Sequence, residues 1–234
     1  MLYKSILCVF VALLSFNLCS AEGLVDVDWE NHNYDKSIGD EINQVCAGCH
    51  GESAMGGSKG KYPRLAGMPV KYIFQEVVRF RDRVRPNISM IEHVEERQLP
   101  NEEIMDIAIY MNKIKLATKL PKLKKENEGF DAYARLKEAE SVIQIGLVKG
   151  NVKKGKKIYK SECRSCHGKK GQADEEDAIP MLAGQYIEYL KRQVKLYIDL
   201  KRNHDADDPE ETFFKSFSAE EIEDVFAYIS TLDD

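Results

Sequence analysis

Apolar residues return along this chain at helical spacing, and they do so twice. Ile73, Val77 and Phe80 recur at i, i+4 and i+7, as do Leu190, Val194 and Tyr197, which lays one apolar stripe on a helix in each half. Further on, Ile104, Ile107, Ala108 and Met111 match Ile222, Val225, Phe226 and Ile229 at i, i+3, i+4 and i+7. Ser218 with Glu221 reads as a capping box opening the second of these helices, and Pro100 stands at the corresponding place in the first, where a helix start tolerates proline. A shorter helix is expected ahead of each cysteine pair, such as Lys153 to Tyr159 in the second half. Strand signals are weak throughout, so the predicted fold class is all-α.

Sliding the chain along itself turns this recurrence into a repeat. An offset of 117 carries Cys46, Cys49, His50 and Gly51 onto Cys163, Cys166, His167 and Gly168. It also carries Pro63, Leu65, Ala66 and Gly67 onto Pro180, Leu182, Ala183 and Gly184. The register continues through Tyr72 and Tyr189, Phe80 and Tyr197, and Arg85 and Arg202; at 118 it takes Ile104, Asp106 and Tyr110 onto Ile222, Asp224 and Tyr228. Two homologous domains are expected, 22–116 and 148–234, joined by a connector at 117–147 in which Asp131 to Val142 adds a helix. At about 80 to 90 residues each, such domains have marginal cores, and a buried prosthetic group would become part of them.

The chemistry lies in Cys46-Ala47-Gly48-Cys49-His50 and Cys163-Arg164-Ser165-Cys166-His167. Cys-x-x-Cys-His is the attachment signature of c-type haem: two thiols form thioethers to the porphyrin and the following histidine binds the iron. A disulfide, a redox dithiol or half of a zinc site are the alternatives. A zinc ribbon wants its second pair about 15 to 20 residues on, and a thioredoxin-type dithiol wants a βαβ context; neither is present. The expected cofactors are two covalently bound haem c groups, one per half.

Compartment follows from residues 1–21. Lys4 precedes an almost unbroken apolar run from Ile6 to Leu14, and Cys19-Ser20-Ala21 ends on a small residue, the pattern of a cleaved signal peptide. The run is too short for a comfortable membrane span, so a soluble periplasmic protein with no stable membrane span after cleavage is expected. Cleavage after Ala21 would leave 33 basic against 39 acidic residues, about −6, which argues against a nucleic-acid partner. It would also remove Cys8 and Cys19, leaving four cysteines for two haems.

With the attachment sites, the Pro-x-Leu-Ala-Gly phrase at Pro63 and Pro180 and the Tyr-bearing closing helices in view, the sequence resembles class I cytochromes c. More specifically it is similar to the c4-type dihaem cytochromes and the related cytochrome subunit of flavocytochrome sulfide dehydrogenase, over nearly all of the chain after residue 21. The resemblance implies two tandem class I domains, each wrapped around one haem. It also implies that the carbonyls of Pro63 and Pro180 accept the Nδ1 hydrogens of His50 and His167, and that Met181 is packing. In the first half it places the sixth iron ligand at Met90, with His93 as competitor; Met68 is expected to pack. The second half departs from the pattern: Met90 aligns with Asp207, and no methionine follows Met181. His204 is then the expected sixth ligand, with a water-bound or open iron as the alternative. A thioether ligand raises the potential relative to a second imidazole, so the first haem is expected to be the higher-potential centre.

The function implied is a periplasmic shuttle of single electrons between respiratory redox proteins, a donor dehydrogenase or cytochrome complex and an acceptor oxidase or reductase, with no catalysis of its own. One alternative is the cytochrome subunit of a dehydrogenase complex such as sulfide dehydrogenase; another is a haem enzyme or gas sensor should the second iron have an open site. No nucleophile triad, phosphate loop or flavin fingerprint is found. Six lysines, Lys149, Lys153, Lys154, Lys156, Lys157 and Lys160, precede the second attachment site and suggest a docking face for an acidic redox partner.

Overall fold

The structure is a computed structural model and describes residues 27–95, 99–115, 129–140, 142, 145–173, 178–204 and 212–232. The expected signal peptide and much of the connector lie outside the described residues. Those described are all-α, with no strand; an isolated bridge joins Gly57 and Tyr62. None of their helices is long and apolar enough to cross a membrane.

The first half is built from α1 (Lys36–His50), α2 (Val70–Arg81), α3 (Ile88–Val94) and α4 (Asn101–Lys113). A linker helix, α5 (Ala132–Glu140), follows. The second half contains α6 (Val152–Ile158), α7 (Arg164–His167), α8 (Ile187–Ile198) and α9 (Ala219–Ile229). The capping box at Ser218 and Glu221 is formed, and Pro100 holds the equivalent cap position of α4.

In both halves the opening helix crosses the closing one at a glycine. A Cβ on Gly39 would stand 2.8 Å from the Tyr110 Cβ, and one on Gly155 would stand 1.8 Å from the Asp224 carbonyl oxygen. A buried carboxylate ties each crossing: Asp106 Oδ1 accepts from the Asp35 backbone N–H at 2.9 Å, and Asp224 Oδ1 accepts from that of Asn151 at 2.5 Å. Asp35 and Asn151 are in turn the N-caps of α1 and α6. His32 Nε2 adds a second bond to Asp106, at 2.8 Å.

Gly39 and Gly155 are 116 apart, whereas the cysteines behind them are 117 apart. The extra residue is absorbed by a π-helical turn, Tyr159–Cys163, between α6 and α7, the usual way a helix takes in one residue without breaking. Its first residue, Tyr159, is fully buried and donates its hydroxyl to the Gly168 carbonyl at 2.8 Å.

Two apolar clusters form the core. The first gathers Ile73, Phe74 and Val78 of α2 with Ile104, Ile107 and Met111 of α4, and it includes Met68. It also takes in Met181 and Ala183 from the second half. The second cluster, around Tyr159, Ile187, Leu190, Phe226 and Ile229, is smaller, and Leu232 packs against both.

Polar groups complete the seam between the halves. Gln185 accepts from the Arg64 backbone N–H and donates to the Arg64 carbonyl, each at 3.0 Å. The related pair Arg85 and Arg202 cross over the related pair Glu76 and Gln193. Arg85 donates to Glu76 Oε2 and, at 2.7 Å, to Gln193 Oε1. Arg202 reaches the same two acceptors at 2.8 Å and 2.7 Å. One buried carboxylate therefore faces two buried guanidinium groups. Burial alone would raise the Glu76 pKa, but Arg85, Arg202 and Arg79 outweigh it and hold the carboxyl at about 2.

Candidate haem sites

Each attachment motif closes a helix. Cys46, Cys49 and His50 lie on the last turns of α1, which stops at Gly51 with φ +77°; Cys163, Cys166 and His167 span the π turn and α7, which stops at Gly168 with φ +78°. A positive φ suits glycine, and there the chain turns back over the histidine. Gly56 N–H bonds the His50 carbonyl at 2.8 Å, and Ala173 N–H bonds that of His167 at 3.0 Å. The return strand of chain is then pinned, with the amides of Leu65 and Ala66 on the Ala54 carbonyl and those of Leu182 and Ala183 on that of Gly171.

That path brings a proline carbonyl to each imidazole. His50 Nδ1 lies 3.0 Å from the Pro63 oxygen and His167 Nδ1 lies 3.0 Å from the Pro180 oxygen. A carbonyl only accepts, so Nδ1 carries the hydrogen and Nε2 keeps its lone pair. Both histidines are buried, and burial lowers their pKa against the opposing pull of the proline carbonyls. The result is a neutral, oriented imidazole with a free ligating nitrogen.

The four described cysteines, Cys46, Cys49, Cys163 and Cys166, are free thiols; in each pair the first is half-buried and the second exposed. Burial raises the Cys46 and Cys163 thiols to about 11, so neither is a poised thiolate of the kind a redox dithiol uses. Among the described residues no cluster of three or more His, Cys, Asp or Glu side chains could hold a metal ion.

The distal candidates differ between the halves. Met90 sits in the short helix α3, capped by Asn87, instead of in an open loop, and its side chain packs on the first core cluster. His93, on the same helix, is exposed and directs Nδ1 to the Ser89 carbonyl at 2.8 Å. His204 follows α8, and its ring centroid lies 6.1 Å from that of His167, with the planes at 39°. Two imidazoles on opposite sides of one metal, each bonded at about 2.0 Å, have centroids about 6 Å apart. The donor set thus fits a covalently held haem: thiols for the thioethers, a fixed proximal imidazole, and in the second half another imidazole at the matching separation.

A cytochrome c family model matches residues 152–233. The chain is 29% identical over 160 residues to the thiosulfate dehydrogenase electron acceptor of Thiomonas intermedia, covering 68% of this chain and 65% of that relative. It is 28% identical over 188 residues to the protein of the same name from Stutzerimonas stutzeri, covering 80% and 79%. Among solved structures, reduced recombinant cytochrome c4 from Pseudomonas stutzeri superposes with a TM-score of 0.64 at 20% identity, over 86% of this chain and all of that one. The chain is similar to cytochromes of the c4 type, with a cytochrome c domain at 152–233. Its matched region spans just under two thirds of the Thiomonas relative's length.

The cytochrome c domain match supports covalent haem c, and it includes Cys163, Cys166 and His167, which the sequence singles out. Sequence reasoning passed over the groups that gather around the sites from a distance. Tyr159, whose hydroxyl caps the turn behind His167, and Glu76 and Gln193, which join the halves, carry no motif. Phe213 and Phe214, which lie against the His204 ring, have no counterpart pattern in the first half.

Proposed function

We propose that this protein binds one haem in each half and carries single electrons between redox partners, with no substrate chemistry of its own. In this reading residues 22–116 and 148–234 are the two haem domains, the segment 117–147 joins them, and the chain acts in the periplasm after loss of residues 1–21. Haem iron supplies the reversible one-electron couple. Cys46 and Cys49, and Cys163 and Cys166, form the thioether links. His50 and His167 are the proximal ligands, oriented through Pro63 and Pro180. Met90 is the sixth ligand in the first half, supported by its inward packing and by the outward, helix-bound placement of His93.

The observation that carries the reading is the approach of His204 to His167 at the separation of paired axial ligands. An iron closed on both faces exchanges electrons but has no position for substrate or gas. Carbon monoxide titration of the dithionite-reduced protein tests this, with electron paramagnetic resonance of the oxidised form. Wild type is expected to take up no carbon monoxide and to show one histidine–methionine and one bis-histidine low-spin signal. His204→Ala should open a single site. Carbon monoxide binding by wild type would favour a haem enzyme or sensor instead.

The names of the two relatives favour a narrower version, in which the donor is a thiosulfate dehydrogenase. Stopped-flow mixing with such an enzyme and thiosulfate should reduce both haems within its catalytic cycle. A general shuttle would be reduced no faster by it than by an unrelated dehydrogenase.

A further inference from the structure

His204 stands in a box of aromatic rings. Phe213 stacks on its imidazole, with centroids 5.1 Å apart and planes within 7°. Phe214 and Tyr197 meet it edge-on, at 4.9 Å and 80° and at 5.2 Å and 77°. The walls also brace one another: Tyr197 stacks on Phe214 at 5.5 Å and 4°, Phe213 meets Phe214 edge-on at 5.0 Å, and Phe217 closes on Phe213 at 5.3 Å. Tyr197 comes from the end of α8, while the phenylalanines come from the 3-10 turn Phe214–Ser216 and its flanks, ahead of α9. Two elements separated in sequence thus converge on a single imidazole.

A histidine in a connecting segment ordinarily samples several rotamers and loses that freedom when it binds a metal. Aromatic rings remove the freedom in advance because stacked and edge-on geometries are directional. The stacked ring fixes the imidazole plane, and the two edge-on rings stop it from turning about the stacking axis. Together they also replace water on the far side of His204 with ring carbons.

We propose that Phe213, with Tyr197 and Phe214, is a positioning device that holds the His204 ring plane and keeps it facing His167, so that the second haem stays closed to small exogenous ligands. This rests on His204 being the sixth ligand. The box does not touch the reacting atoms; it acts through His204.

The test uses the full haem-loaded protein, with Phe213→Ala, Phe213→Leu and Phe213→Tyr, read by electron paramagnetic resonance and by carbon monoxide uptake after dithionite reduction. Removing the stacked ring is expected to shift the g-values of the bis-histidine signal and, by weakening the hold on His204 up to about tenfold for one lost aromatic contact, to let carbon monoxide bind at the second haem. Phe213→Tyr keeps the ring and should restore the wild-type spectrum. Phe213→Leu fills space without a ring face and should behave like Phe213→Ala; should the alanine variant fail to fold, the leucine and tyrosine variants carry the comparison. A wild-type spectrum and no carbon monoxide uptake in Phe213→Leu would overturn the positioning role while leaving His204 as ligand. Absence of any bis-histidine signal in wild type would remove the ligand assignment itself, and this inference with it.

Discussion

At the scale of single residues, the imidazoles of His50 and His167 are each set by one backbone carbonyl, while the proposed distal side chains, Met90 and His204, distinguish the two halves. A thioether favours the reduced iron relative to a second imidazole, so Met90→His is expected to lower the potential of the first couple toward that of the second. Spectroelectrochemical titration should then show two waves drawn together, whereas an unmoved first wave would count against Met90. The residues proposed to bond the haems were legible because their signature is local: five consecutive positions suffice. His204 was legible only as the one available ligand in its segment, since its aromatic partners at 197, 213 and 214 are brought to it by the fold. His32 was not legible at all, because its partner Asp106 is 74 residues away.

At the scale of elements, the repeat holds most tightly where helices cross. Gly155→Ala would push a methyl group into the Asp224 backbone, and overpacking of this kind costs roughly 1–3 kcal/mol or more. Chemical denaturation of the haem-loaded protein should show that loss, while Gly146→Ala, where an added Cβ meets nothing within 4 Å, should change stability by less than about 0.5 kcal/mol. Periodicity located α2, α4, α8 and α9 because each carries a continuous apolar stripe, and the Ser218 box marked a start by its own chemistry. It did not reveal the π turn. One added residue between Gly155 and Cys163 leaves every motif intact and shifts only the register upstream, where a comparison at 117 sets Gly39 against Lys156 instead of Gly155. Nor did it reveal that Met90 lies on a helix, since the seven residues of α3 carry too few turns for a period to show.

At the scale of the whole molecule, the halves share a core boundary and a charged seam. Met181 belongs by sequence to the second half and by packing to the first cluster, so the two units are not independent cores. The seam places Glu76 between Arg85 and Arg202. Removing one partner of a buried charge set leaves the others uncompensated, at a cost of about 3–5 kcal/mol, and Glu76→Ala is expected to show it in equilibrium unfolding. The sign of the pH dependence follows from the depressed carboxyl: its stabilisation is complete above the ordinary value of 4.5 and is lost as pH falls toward about 2. An acid unfolding transition in that window, absent from Glu76→Gln, is the expected result. This seam escaped sequence reading because Glu76 and Gln193 differ in charge and bear no motif, although Arg85 and Arg202 were aligned by the repeat.

On the outer surface, Lys149, Lys153, Lys154, Lys156, Lys157 and Lys160 are exposed beside the second attachment site. Transfer to an acidic partner through this face should slow as ionic strength rises. Rates indifferent to salt would place docking elsewhere.

The account depends most on two covalent haems in one chain. Intact-mass measurement of the exported protein under denaturing conditions, after expression with haem-maturation machinery, reads this directly. Two haem masses should remain on the unfolded polypeptide, each lost in turn from Cys46→Ala/Cys49→Ala and from Cys163→Ala/Cys166→Ala. A polypeptide that keeps one haem, or none, when both motifs are intact would contradict it.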